Sequence, residues 1–316
     1  MPHRLLTHAL TLANLRASWE RVASNKGAPG ADEISVRRFA RDWETHLVEL
    51  RDSVRANTYK PQRLREFQVR KPQGGWRTIS ICTVRDRVLQ RAALNVLEAA
   101  LDKQFLDCAF GYRPGRSTQG ALDAVLRYRD AGLRWVLDGD IEQFFESLDH
   151  ALLLDFLRED VEDARLIALI EMWLKRNPKS QAQNPKAASE RGKAHREMGV
   201  PLGMVVSPLL SNIYLHRFDL ALTRLGFRLV RYADDFIVLG ETRAEMEEAR
   251  RLVAWALGYL RLRLSAEKTR VVSFDEGFDY LGVHFHRDTY SYLKQNKRVR
   301  AKARPVKWDF LPPEWY

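Results

Sequence analysis

Apolar residues recur at helical spacing over most of the chain, and short β-branched runs interrupt this pattern. The helical spacing predicts helices over 5–23, 35–55, 86–105, 121–128, 152–157, 207–220 and 242–260. The β-branched runs predict strands over 64–69, 76–81, 134–137, 227–232, 236–239, 270–274 and 278–285. No apolar stretch reaches the ~18 residues that a membrane-spanning helix needs, so the pattern argues against such a helix.

Two strongly apolar runs flank a pair of adjacent aspartates. The segment 227–240 reads FRLVRYADDFIVLG, which predicts a β-hairpin with Ala233, Asp234 and Asp235 at its turn. Adjacent like charges destabilise a buried turn unless a cation neutralises them. An isolated Asp-Asp pair would be interpreted as a solvated acidic turn. The apolar flanks, together with a further acidic centre upstream, favour metal binding instead.

The upstream acidic centre follows a short predicted strand. The strand over 134–137 runs into Asp138, Gly139, Asp140 and Ile141, and a helix start follows. A strand end before a helix start is a plausible place to present a carboxylate. The alternative is that Asp138 or Asp140 only caps the helix.

Charge narrows the class of partner. The chain has 316 residues, 52 Lys plus Arg against 41 Asp plus Glu, and a net charge of +11. This excess favours a polyanionic partner, with nucleic acid ahead of an anionic membrane. Only two cysteines are present, without a disulfide framework or metal-ligand spacing, which predicts a reducing, cytoplasmic compartment.

Basic residues concentrate in four segments. A predicted hairpin carries Lys71 and Arg77 near its tip, as either a phosphate clamp or a solvated edge. The loop 110–118, FGYRPGRST, interleaves aromatic and basic residues, which suits nucleic-acid contact but also a packed turn. The polar stretch 177–196 predicts a loop near nucleic acid or a solvated insertion, and 287–307 forms a basic tail.

The order of the motifs resembles the polymerase domain of reverse transcriptases, above all the group II intron type of bacteria. The resemblance covers about 25–285 and rests on KPQGGWRTISI with DRVLQ, FGYRPGRS, DGDIEQFF, GVPLG with SPLLSNIYL, YADD, LSAEKT and YLGVHF. It implies an RNA-directed DNA polymerase that extends a primer with dNTPs on RNA or DNA template-primers. The implied fold is an α+β right hand, with fingers and an antiparallel palm sheet backed by helices.

The resemblance also implies a domain order. Fingers with N-terminal helices would cover 1–130, a palm 131–285 with the basic insertion 177–196, and a tail or thumb remnant 286–316. About thirty residues follow Phe285, too few for a three-helix thumb, so the thumb is expected to be missing or much reduced. This short form resembles the CRISPR-associated reverse transcriptases. That likeness implies spacer acquisition from RNA, with an adaptation integrase or a fused C-terminal domain as partner.

Motif-matching residues receive roles from the same resemblance. Two magnesium ions, with Mn²⁺ as a substitute, are expected at Asp140, Ile141, Asp234 and Asp235, of which the three aspartates are catalytic. Nucleotide binding is expected at Lys71, Arg77, Phe145, Leu202 and Gly203. Phe145 matches the aromatic residue that blocks a ribose 2′-hydroxyl. Template or primer binding is expected at Arg113, Arg116, Lys268, Leu281 and Gly282.

One departure from the family pattern bears on activity. The family usually has Gln in its Gly-x-Pro-Gln-Gly turn, where this chain has Leu202. Leucine cannot hydrogen-bond in the nucleotide pocket, which leaves nucleotide affinity or choice open. Together with the reduced thumb, it favours the alternative of a catalytically weak nucleic-acid-binding scaffold, against which the complete aspartate set argues. A polymerase that acts mainly on DNA or without a template is a further alternative, because templates are gripped largely through the backbone.

Overall fold

The computed structural model describes residues 5–70, 74–176, 197–294 and 297–301. The helices are α1 Leu5–Ala9, α2 Leu12–Ser24, α3 Val36–Phe39, α4 Trp43–Arg55, α5 Val84–Leu101, α6 Thr118–Asp130, α7 Phe144–Ser147, α8 His150–Asp160, α9 Ala164–Leu174, α10 Ser207–Arg224 and α11 Arg243–Tyr259. The strands are β1 Arg65–Arg70, β2 Trp76–Ile81, β3 Trp135–Gly139, β4 Arg228–Tyr232, β5 Asp235–Gly240, β6 Arg270–Ser273, β7 Phe278–Tyr280, β8 Val283–His286, β9 Thr289–Lys294 and β10 Lys297–Ala301. None of these described helices is long and apolar enough to cross a membrane.

The chain forms two compact units that interleave in sequence. The first unit consists of 1–103 and 145–213, and the second consists of 104–144 and 214–316. The chain therefore passes between the units three times, the last time within α10. The linear division at 130 and 285 stays a prediction about functional subdomains.

Helix α5 is the centre of the first unit. Helices α1, α2 and α4 pack against its apolar residues. A buried polar chain adds to this packing, because Trp173 Nε1 donates to Tyr59 Oη at 3.0 Å and Tyr59 Oη donates to Asp86 at 2.8 Å. The backbone N–H of Gln62 donates to the second oxygen of Asp86 at 2.8 Å. Each polar atom in this chain has a partner, as buried polar groups require.

Two antiparallel sheets make up most of the second unit. One has the strand order β4-β5-β3-β6, and the other has the order β10-β9-β8-β7. Helix α11 packs on β3, β5 and β6, and α6 packs on β4. This arrangement confirms the expected antiparallel sheet backed by helices.

Some predicted helices are divided in the structure. The helix predicted over 5–23 is two helices, because Thr11 caps the second by accepting the N–H of Asn14 at 3.3 Å. The helix predicted over 35–55 is likewise α3, capped by Ser35, followed by α4. Helix α9 was not predicted, although its apolar spacing is regular.

The C-terminal strands differ most from the prediction. The strand predicted over 278–285 is a hairpin, since Leu281 and Gly282 adopt φ of +48° and +80° and reverse the chain. Strands β9 and β10 continue this sheet where a basic tail was expected. The residues 177–196 and 302–316, which carry the rest of the predicted basic segments, lie outside the described residues.

A fully buried ion pair supports the β4–β5 hairpin. Arg231 Nε donates to Asp219 at 2.7 Å, and Arg231 Nη2 donates to the other Asp219 oxygen at 2.5 Å. Arg231 Nη1 donates to the carbonyl of Ala233 in the hairpin turn at 2.8 Å. Burial alone would lower the pKa of Arg231, but the charge and hydrogen bonds of Asp219 raise it.

We expect Asp219→Asn to destabilise the protein by about 3–5 kcal/mol, because it leaves the buried guanidinium without a counter-charge. The double variant Asp219→Leu/Arg231→Met removes both charges and should recover most of that loss. Urea denaturation followed by circular dichroism measures both effects. If the double variant were no more stable than Asp219→Asn, the loss of stability would not come from the unpaired charge of Arg231.

Candidate metal centre and nucleotide pocket

Sheet register brings the predicted metal ligands to one edge of the second unit. Strands β3 and β5 are antiparallel neighbours in which Gly139 pairs with Phe236. Continuing this register by one residue places Asp140 opposite Asp235, at the ~5 Å Cα separation of paired strands. Asp234 precedes Asp235 in the hairpin turn, so all three carboxylates lie at the same edge.

The hairpin turn depends on a glycine that the sequence analysis did not single out. Ala233 has φ of +59°, and a Cβ added to Gly111 would lie 2.3 Å from the Ala233 nitrogen. The segment before Gly111 runs along β4, because Arg231 N donates to Cys108 O and Phe110 N donates to Arg231 O, both at 2.8 Å. Only glycine lets this loop approach the turn so closely.

Packing also requires glycine at position 139, between Asp138 and Asp140. A Cβ added to Gly139 would lie 2.3 Å from the ring of Phe236. The same ring packs edge-on against Phe218, with centroids 5.1 Å apart. Glycine at this position therefore leaves room for the Phe236 ring to pack on the sheet directly beside the acidic edge.

The two upstream aspartates have different partners. Asp138 lies within β3 and accepts a hydrogen bond from Arg270 at 2.8 Å. Asp140 is half-buried beyond the strand end, and Lys268 Nζ lies 3.1 Å from its carboxylate. Both carboxylates therefore have a cationic partner, and they differ in position, since Asp138 lies within the sheet and Asp140, the predicted ligand, lies beyond the strand end.

Negative charge exceeds positive charge at this edge. Desolvation and the charges of Asp138, Asp234 and Asp140 raise the pKa of Asp235 from 3.8 to about 7. Asp235 nevertheless keeps an exposed surface, so its carboxyl group is crowded by charge without being sealed from water. Four carboxylates facing two cations, Lys268 and Arg270, form a site that favours a further cation.

The donor chemistry fits a hard divalent ion. Carboxylate oxygens are the ligands that Mg²⁺ and Mn²⁺ prefer. In the described part of the chain, however, no three acidic, histidine or cysteine side chains are already close enough to enclose a metal. Asp140 is instead turned towards Lys268. Ile141, the other predicted metal residue, is buried in a β-bridge with Leu264.

Three of the predicted nucleotide-binding residues lie together in the first unit. Val200 N donates to Phe145 O at 2.7 Å, and Ser80 N donates to Leu202 O at 2.6 Å. Gly203 has φ of +107°, and a Cβ there would lie 2.4 Å from the Ser80 carbonyl oxygen.

A small open cleft lies beside this turn, and its lining is Glu66, Thr78, Ser80, Glu146, Gly199, Val200, Pro201 and Leu202. Leu202 thus borders an open pocket, whereas Phe145 is buried. Arg77 is exposed on β2, and Lys71 lies outside the described residues.

The predicted template and primer residues have varied surroundings. Arg113 is buried and donates to the carbonyls of Leu106 at 2.7 Å and Ala109 at 3.0 Å, which favours a structural role in its loop. Arg116 pairs with Asp107 and lies over the Phe110 ring. Their contact with nucleic acid stays a prediction, as does that of Leu281 and Gly282 in the β7–β8 turn.

Comparison with known proteins identifies one family model. The model "Reverse transcriptase (RNA-dependent DNA polymerase)" matches residues 69–285. Protein YkfC of Escherichia coli (strain K12) is 31% identical over 300 residues, which are 82% of this chain and 76% of that protein. The group II intron-encoded protein LtrA of Lactococcus lactis is 30% identical over 70% of this chain. The chain spans 35% of the length of LtrA.

Solved structures share the fold at low sequence identity. Telomerase from Candida albicans, in complex with a fragment of telomeric RNA, has a TM-score of 0.50 and 12% identity over 78% of this chain and 50% of that chain. A partial Cas6-RT-Cas1–Cas2 complex has a TM-score of 0.45 and 23% identity over 80% of this chain and 42% of that chain. The telomerase likeness concerns the fold alone.

The raised pKa of Asp235 predicts a pH dependence of stability. Between about pH 4 and pH 7 the folded protein holds a proton that the unfolded chain releases, so stability falls as pH rises through this window. Asp235→Asn should remove that slope and raise stability at pH 8 but not at pH 4. Because Asp235 keeps an exposed surface, we expect on the order of 1 kcal/mol, or ~2 °C.

Thermal denaturation in EDTA across this pH range measures the effect. Asp42→Asn, at an exposed aspartate before α4 whose side chain makes no capping hydrogen bond, is the control and should keep the wild-type slope. Equal slopes for wild type and Asp235→Asn would contradict the charge crowding.

Proposed function

The chain belongs to the reverse transcriptase family, and we propose that it is an RNA-directed DNA polymerase that extends a primer 3′-hydroxyl with dNTPs. The observation that carries this proposal is the acidic edge of the second unit. Asp140 directly follows β3, Asp235 begins the neighbouring strand β5, and Asp234 lies in the adjoining turn. Three carboxylates with excess negative charge are the requirement for metal-assisted nucleotidyl transfer.

The three aspartates would hold two magnesium ions. When bound, these ions activate the primer hydroxyl and neutralise the triphosphate and the leaving pyrophosphate. Asp235 would be ionised with a cation in place, since a nearby cation favours the ionised carboxylate. Lys268 supplies positive charge beside Asp140, and this contact would be lost if Asp140 turned to hold a metal ion.

We assign nucleotide contacts to residues of the first unit. Arg77 is exposed on β2 and free to reach the triphosphate as a charged hydrogen-bond donor. Phe145 is held by its backbone bond to Val200 and would exclude a ribose 2′-hydroxyl. Leu202 and Gly203 would line the nucleotide pocket, with Leu202 giving an apolar contact where the family usually has an amide.

The scaffold alternative rests on Leu202 and on the reduced thumb that the sequence predicts, whereas the sequence does not separate a polymerase acting mainly on DNA or without a template from one that copies RNA. A catalytically weak scaffold would have no need of the acidic edge, because its uncompensated charge opposes folding. The preserved set of three aspartates therefore favours an active polymerase. Preference for RNA or DNA templates, an adaptation integrase as partner, a role in spacer acquisition and a cytoplasmic location stay predictions from the sequence.

Asp140→Asn and Asp234→Asn should each lower primer extension by roughly 10³-fold or more, because each removes a charged metal ligand. Both should leave template-primer affinity close to wild type. The measurements are single-turnover extension on RNA and DNA templates and fluorescence anisotropy of the labelled duplex. Asp42→Asn is again the control, with normal extension expected. Extension by either active-site variant within about tenfold of wild type would refute the metal assignment.

Leu202→Gln tests the nucleotide pocket separately. If the pocket has only lost an amide contact, the substitution should lower the KM for dNTPs about fivefold, which corresponds to about 1 kcal/mol for one hydrogen bond. Leu202→Met, which keeps size and apolar character, should leave KM unchanged. A higher KM for Leu202→Gln would instead show a pocket rebuilt around an apolar residue.

A further inference from the structure

Two histidines lie side by side on the outer face of β8. His284 and His286 are two residues apart, and Phe285 between them points to the opposite face and is fully buried. Both histidines are half-buried. Their rings are nearly parallel, with an angle of 12° between the planes and 6.5 Å between the centroids. The strand therefore presents two imidazoles next to each other, and neither belongs to the acidic edge.

Asp279 determines which nitrogen of His284 is open to a ligand. It lies opposite His284 on β7, and its Oδ1 is 3.0 Å from His284 Nδ1. An ionised carboxylate only accepts hydrogen bonds, so Nδ1 carries the hydrogen and the neutral ring keeps its lone pair at Nε2. Carboxylates orient metal-binding histidines in this way.

A glycine leaves that nitrogen accessible. Gly277 directly precedes β7 and has φ of +84°, which favours glycine in any case. A Cβ at this position would lie 3.2 Å from His284 Nε2. A side chain there would crowd the open nitrogen, whereas glycine leaves room for a ligand beside it.

The separation of the rings is close to what one shared ion requires. Zn–N bonds are ~2.0–2.1 Å long, so two imidazoles on one tetrahedral ion have centroids roughly 5 Å apart. The observed 6.5 Å is wider by about 1.5 Å, a difference that rotations of the two side chains remove. Among the residues that the structure describes, no group of three His, Cys, Asp or Glu side chains could hold a metal, so water would complete the coordination.

The charge beside the two rings favours a cation over a phosphate group. In the described ranges Asp279 forms an ion pair with His284 only. Arg287, which follows β8, lies 4.0 Å from Asp275 and is balanced by it. Arg300 lies on β10, two strands away from β8. A phosphate would be repelled by the carboxylate of Asp279, whereas a metal ion is attracted to it.

We propose that His284 and His286, here called the histidine pair, bind a divalent transition-metal ion such as Zn²⁺, with Asp279 as the positioning residue of His284. Imidazole nitrogens suit Zn²⁺, Cu²⁺ and Ni²⁺, whereas Mg²⁺ prefers oxygen ligands. The histidine pair is therefore chemically distinct from the acidic edge. This site goes beyond the polymerase function, which requires neither histidine.

The test is isothermal titration calorimetry of the untagged full chain with ZnCl₂. Excess Mg²⁺ is present to compete for the oxygen ligands of the acidic edge. Wild type should bind one Zn²⁺ at the histidine pair. Loss of an orienting partner typically weakens metal binding about 10–100-fold, and loss of one of two ligands costs at least as much. His284→Gln and His286→Gln should therefore each weaken Zn²⁺ binding about 100-fold or more, and Asp279→Asn about tenfold.

His46→Gln is the matched control. The His46 side chain is 38% exposed, against 40% for His284, and it also lies near a carboxylate, that of Glu49 at 3.7 Å. No histidine lies within two residues of His46 in the sequence, so it cannot form the same pair. This variant should bind Zn²⁺ as wild type does. Asp234→Asn should also bind Zn²⁺ normally, which separates the histidine pair from the proposed polymerase centre.

Circular dichroism checks that each variant is folded, and Asp279→Asn keeps both ligands in place as a second, milder test. Absence of saturable Zn²⁺ binding by wild type would overturn the proposal, as would equal binding by wild type and both histidine variants. Loss of Zn²⁺ binding in Asp234→Asn, with normal binding in the histidine variants, would assign the ion to the acidic edge instead. Primer extension in Mg²⁺ is measured separately, so failure here leaves the polymerase proposal standing.

Discussion

The buried guanidinium of Arg231 determines the geometry of the acidic edge. Its side chain joins α10, through Asp219, to the carbonyl of Ala233 in the hairpin turn. Its backbone pairs with β5 on one side and with the loop before Gly111 on the other. Arg231 thus restrains the turn through its side chain and through backbone hydrogen bonds to the segments on both sides of β4. Since an unpaired buried charge is strongly unfavourable, the turn has little freedom to move without breaking the pair.

Because the turn is rigid, the carboxylates of the acidic edge stay close together although their charges repel one another. Lys268 and Arg270 offset part of the negative charge, but the pKa of Asp235 still rises to about 7. The folded chain therefore holds unfavourable like-charge contacts at the edge where the proposed function needs a cation. A divalent ion bound there would relieve this repulsion, so part of the affinity for metal would come from the fold rather than from new contacts.

The sequence predicted the features that depend on local pattern. The β4–β5 hairpin, the helix that begins near position 242 and the acidic edge all follow from short runs of residues. Other features depend on distant contacts and have no local signal. Gly111 is required because Ala233 packs against it, and Arg113 is buried by carbonyls of its own loop. The basic composition of 287–301 concealed the alternation in β9 and β10, where Tyr290 and Tyr292 are buried on one face.

The turn at Leu202 shows how a family position can change without disturbing the fold. Main-chain groups hold this turn: Ser80 N bonds to Leu202 O, and Val200 N bonds to Phe145 O. His150 Nε2 donates to Gly199 O at 2.8 Å and fixes the start of the turn. None of these bonds uses the side chain at position 202, which instead borders the cleft. A substitution there alters the chemistry offered to a ligand while the backbone stays in place, so loss of the usual amide is compatible with an intact pocket.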